Sequence, residues 1–129
     1  MTKKGKKIAT ISDPFGNIVH TTSKTWKHIE TGHPDMAGRL DDVQAAISQA
    51  DRVRPSTKEF ETDTAFALEK SFSTTDEIRV LVAYGTANLF DGTAEGYVST
   101  AYPPSPAYSS AVGDVMWETG TGTTAADMP

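Results

Sequence analysis

The chain has 129 residues with 10 glycines, 7 prolines and no cysteine, a size that suits one domain burying about two-thirds of its unfolded surface without disulfide staples. The missing cysteine excludes thiolate metal sites and a cysteine nucleophile, and no run of about 18 apolar residues exists to cross a membrane as a helix. A net charge of −5 at pH 7 argues against a protein that coats nucleic acid through many phosphate contacts.

The lysine-rich start, MTKKGKK, is followed by Ile8-Ala9-Thr10-Ile11, too short for a signal-peptide core, so a cytoplasmic protein is expected. Lys7–Ser12 and Ile18-Val19-His20 flank Asp13-Pro14-Phe15-Gly16-Asn17, a strong turn signal, and predict a short β-hairpin. Thr22 or Ser23 can cap a short helix through Trp26, His28 and Ile29, which Gly32 stops. His33 precedes Pro34 and is pushed out of the helical region. Met36, Leu40, Val43, Ile47 and Ala50 then recur at spacings of 4, 3, 4 and 3. That stripe predicts a core-facing amphipathic helix over residues 35–50.

Beyond Asp51 the texture turns to strands. Arg52-Val53-Arg54 is interrupted by Pro55, which points to a sheet edge or a bulge. Phe66, Leu68 and Phe72 share an alternating face, and Ile78 to Tyr84 is a nearly continuous apolar run, as expected of a central strand. Asn88 to Gly96 reads as a connection, Gly96 to Tyr102 as a strand stopped by Pro103-Pro104, and Val112 to Trp117 as a short last strand. Residues 1–118 are expected to form one domain, and the tail 119–129, which has no bulky core former except Met128, is expected to be disordered. The expected fold is α+β: a small hairpin and two N-terminal helical segments packed on a three- to four-stranded antiparallel sheet.

Charge is unevenly placed. Residues 80–129 hold 5 acids and no base, while residues 1–79 hold all 12 Lys and Arg and are neutral overall. There is no Gly-rich phosphate loop and no GxSxG elbow. His20, His28 and His33 fall within fourteen residues. His28 and His33 are five apart, about 140° out of register on a helix, so HIETGH does not match the paired-histidine zinc motif and no metal is expected. Histidine is nonetheless the side chain best suited to proton transfer near neutral pH. Arg54, Ser56 and Lys58 form a compact polar cluster, readable as a solvated strand end or as donors for a phosphate oxygen. Thr100 and Tyr102 alternate on one strand face, which by itself is ordinary strand composition.

Taken in order, TWKHIETGHPDM, the amphipathic helix, ISQADRVRPS, IRVLVAY and VSTAYP resemble the phage-associated branch of the barnase–EndoU–colicin–RelE-like nucleases. The resemblance spans about Asp13 to Pro103, and where the family has Pro-Asp after the helix this chain has Gln49-Ala50-Asp51. It implies metal-independent RNA cleavage by a toxin or phage effector, without a cofactor. Carried over, His28 and His33 are the histidines of the helical motif, Ser56 the polar residue after the helix, and Thr100 and Tyr102 the strand pair. Arg54, Lys58, Lys70 and Arg79 would supply the cationic surface. The implied partners are RNA and an inhibitory or immunity protein, with no membrane. RNA can be cut by its own 2′-hydroxyl when a base, an acid and donors for the phosphorane are in place, whereas DNA lacks that hydroxyl. A second reading, a phage-encoded binding protein that inhibits a host defence system, draws on the acidic last fifty residues, which can mimic nucleic acid toward a basic partner.

Overall fold

The computed structural model describes residues 6–56, 64–85, 88–104 and 113–119. Lys58, residue 112 of the expected last strand and the tail from residue 120 lie outside them.

The chain opens with strands β1 (Lys7–Ser12) and β2 (Ile18–Thr22), paired antiparallel. Their turn is built by Asp13, whose Oδ1 accepts the backbone N–H groups of Phe15 and Asn17, both at 2.9 Å. Gly16 there has φ +97°, a conformation that a side chain would strain. Helix α1 (Ser23–Gly32) follows directly, and the Thr22 hydroxyl caps it by accepting from the Thr25 N–H.

The second helix is shorter than its apolar stripe predicts. Pro34–Met36 form a 3-10 turn, Gly38 takes φ +78°, and α2 runs only over Leu40–Ser48. Gly38 in the left-handed region breaks the helical path between Met36 and Leu40. Met36, Val43, Ile47 and Ala50 still enter one core with Phe66, Val80 and Val82, whereas Leu40 is only half-buried. Truncating Ile47, which has no exposed surface, to alanine is therefore expected to cost about 2–5 kcal/mol in urea unfolding, and Leu40→Ala clearly less.

Five further strands complete the sheet among the described residues: β3 (Arg52–Pro55), β4 (Thr64–Ser73), β5 (Asp76–Tyr84), β6 (Glu95–Tyr102) and β7 (Trp117–Glu118). They lie in the order β1-β2-β6-β5-β4-β3-β7, with every pair antiparallel except β2 and β6, which are parallel. The expected three- to four-stranded antiparallel sheet is thus corrected to a seven-stranded mixed one, and the helices lie in the middle of the chain, after a hairpin that belongs to the sheet. The physical reason is edge coverage. A bare β6 would expose a row of unpaired backbone groups, and the first hairpin docks along it through Ile18–His20. At the other margin β7 pairs with Arg52 and Val53, and Pro55 lies beyond that pairing.

Alternation sorts the two faces. Ile78, Val80, Val82 and Tyr84 of β5 point into the helix-covered core, with Phe66, Leu68 and Val98 from the flanking strands. Arg79 and Leu81 point to the opposite face. None of the described helices is long and apolar enough to cross a membrane.

Candidate functional site

The register of the central strands lines up one row of side chains on the face away from the helices. Tyr102 of β6 stands opposite Arg79 of β5, Arg79 opposite Glu69 of β4, and Glu69 opposite Arg52 of β3. One step along, Thr100, Leu81, Ala67 and Arg54 form the next row on the same face. Glu69, 1% exposed, is the hub. Its Oε2 accepts from Arg79 Nε at 2.6 Å, and its Oε1 accepts from Arg52 Nε at 2.9 Å and from Arg54 Nε at 3.0 Å.

The degree of burial decides what these pairs are worth. The Arg39–Asp42 pair is solvent-exposed enough to contribute about 0–1 kcal/mol. Arg79 and Glu69, with side chains 7% and 1% exposed, are desolvated, so neither can lose the other cheaply. Burial alone would lower the Arg79 pKa, but bonds to Tyr102 and Glu69 outweigh it and leave the guanidinium raised and charged. Arg52 is shared further, donating to Glu77 at 2.7 Å. Arg54 keeps more of its surface, with a side chain 28% exposed, and also donates to the Gly113 carbonyl.

Helix α1 brings a proton-transfer group to the end of this row. Because β2 pairs with β6 only through Glu95–Tyr97, the chain continues as α1 beside the second half of β6. Its end delivers His33, whose ring lies 5.4 Å from that of Tyr102, tilted by 35°. Arg79 sits over the same Tyr102 ring at 5.7 Å. His33, Tyr102, Arg79, Glu69 and Arg54 are therefore linked by direct contacts, and Thr100 shares their face.

The other expected residues are placed differently. His28 is exposed on the solvent side of α1. Ser56 follows β3 with its backbone N–H on the Ala65 carbonyl, half-buried. Lys70 pairs with Ile78 and so lies on the helix-covered side of the sheet, with its ammonium 5.5 Å from the Phe72 ring, away from Arg54 and Arg79. Lys58 is outside the described residues.

His20 has a separate setting. It is buried between strands, with Nδ1 at 2.9 Å from the Thr10 hydroxyl, Nε2 against the Glu95 carboxylate and its ring 4.9 Å from that of Tyr97. Both ring nitrogens have partners, so this histidine ties β1, β2 and β6 together.

Glu69 and Arg52 are the cluster members that sequence reasoning overlooked. The signal was present: in TAFALEKSF the acid stands in the alternation of Ala65 and Ala67, opposite to that of Phe66 and Leu68. A hairpin turning at Thr74-Thr75 pairs it with Arg79. Among the described residues no three His, Asp or Glu side chains come together as a metal site would require. Comparison with protein-family models, with curated proteins and with solved structures returns no match.

Proposed function

We propose that the protein is a small endoribonuclease that cleaves RNA by transesterification, needing no metal, and acts as a toxin or phage effector restrained by an inhibitory protein. The observation that carries this reading is the chain of contacts on one sheet face that runs from His33 through Tyr102 and Arg79 to Glu69 and Arg54, from one helix end and four strands. Core packing alone does not demand that a half-buried imidazole, a phenol and several guanidinium groups meet on one face.

In the proposed reaction the RNA 2′-oxygen attacks the adjacent phosphorus while the bond from phosphorus to the 5′-oxygen breaks. The products are a 2′,3′-cyclic phosphate and a 5′-hydroxyl. His33 takes the proton of the 2′-hydroxyl, and the Tyr102 phenol supplies one to the departing 5′-oxygen. Arg79, beside Tyr102, faces the phosphorane oxygens, with the Thr100 hydroxyl as a neutral donor, and Arg54, three strands from Tyr102, faces a neighbouring phosphate of the strand. Glu69 acts through the arginines, holding their planes in place.

The test is a digestion of matched RNA and DNA oligonucleotides with EDTA present. Cleavage of RNA alone, with a cyclic phosphate end, is the expected result. Cleavage of DNA, or activity abolished by EDTA, overturns the mechanism. Intact RNA at high enzyme concentration would hand the fold to the binding-protein reading instead.

A further inference from the structure

We propose that the solvent face of α1 is the track along which a single-stranded RNA backbone reaches the site, an inference that rests on the ribonuclease reading and extends it to substrate binding. Lys24, Lys27, His28 and Thr31 are all exposed, and their spacing of i, i+3, i+4 and i+7 places them in one stripe. The opposite side of the helix is committed to the core through Ile29, which is fully buried, and Trp26, which packs against it. At a rise of about 1.5 Å per residue the stripe runs on the order of 10 Å, enough for more than one phosphate.

Direction and charge both favour this use. The helix ends at His33, whose ring meets Tyr102, so Thr31, the last residue of the stripe, is two residues from the proposed reaction centre although it faces another side of the helix. Glu30, the one acid in SKTWKHIETG, is turned to the following segment, where its Oε2 accepts the Gly38 N–H at 3.2 Å. The last fifty residues offer a phosphate no cation at all. This placement also gives exposed His28 a role, as a phosphate-facing group rather than a member of the Tyr102 cluster.

The measurement is binding of a 2′-O-methyl single-stranded RNA, which cannot be cut by this route, followed by fluorescence anisotropy across a salt series. Two lost phosphate contacts flatten the slope of log K against log salt by about 1.4, equivalent to roughly 25-fold weaker binding at 0.1 M. Lys24→Gln/Lys27→Gln is expected to show that change, and Lys70→Gln, on the helix-covered side of the sheet, to keep the wild-type slope. A wild-type slope in the double variant, or an equal loss in Lys70→Gln, overturns the track. Cleavage of ordinary RNA run in parallel separates the two ideas. A lysine-dependent slope without wild-type cleavage keeps the track and removes the ribonuclease. Cleavage with an unaltered slope does the reverse.

Discussion

Replacing His33 with alanine is expected to slow RNA cleavage by about 100-fold or more, the usual scale for losing an acid–base group. The argument is positional. His33 is the histidine in ring contact with Tyr102, and Tyr102 is in contact with Arg79, so a phosphate facing that guanidinium would have an imidazole beside it. His28 is five residues earlier on the exposed side of α1, and His28→Ala is expected to change binding more than rate. A pH–rate profile sharpens the comparison. Loss of a general base removes the fall in rate on the acidic side, whereas a packing defect scales the whole curve. An unchanged rate in His33→Ala rejects the assigned role, and a large loss confined to His28→Ala transfers it to that residue.

The second large effect concerns stability. Glu69→Ala is expected to cost about 3–5 kcal/mol, because it takes the Glu69 carboxylate away from the buried Arg79 guanidinium. The carboxylate is 1% exposed and accepts from three arginines, and Arg79 has almost no solvent to replace it. Glu69→Gln keeps the shape and one acceptor oxygen but not the charge, and should fall between alanine and wild type. Urea denaturation of the three proteins reads this directly. A loss below about 1 kcal/mol for alanine would mean that water reaches Arg79 and that the cluster is a surface pairing. Because both variants also disturb the arginines, their effect on cleavage should appear at temperatures where each is fully folded.

Local physics was legible in the sequence, and long-range pairing was not. The Asp13–Asn17 turn, the Thr22 cap, the stop at Gly32 and the apolar run of β5 follow from short-range chemistry, and each is present. Gly38 was hidden inside an apolar stripe that looked unbroken, although its left-handed φ ends the helical path there. The sheet was undercounted because nothing local in Ile18–His20 says that it will pair with Glu95–Tyr97. The cationic side of the cluster was legible as residue types, through Arg54 and Arg79. Its hub was not, since a single glutamate in a strand has meaning only once cross-strand register is known. Lys70 shows the same limit from the other side: one residue along β4 from Glu69, it belongs to the opposite face.

The docking of the first hairpin also governs the order in which the sheet can be completed. The His20–Glu95 pair joins residues 75 positions apart, and the Asn17 side chain accepts the N–H of Ala94, 77 positions away. Asn17 also donates to the Leu89 carbonyl, and the Tyr84 hydroxyl donates to Asp13 at 2.8 Å. The β4–β5–β6 meander, by contrast, forms from neighbours in the chain. On a ribosome β1 and β2 emerge before β6, and one side of β2 has no strand to pair with until β6 has been made. Closing a loop of that length carries an entropy cost that grows as the logarithm of its size, about 4 kcal/mol before any constant term. Such non-local pairing belongs to the slow, high-contact-order end of folding, in milliseconds to seconds rather than microseconds. The β1–β2 hairpin is thus the piece whose place in the sheet is settled late.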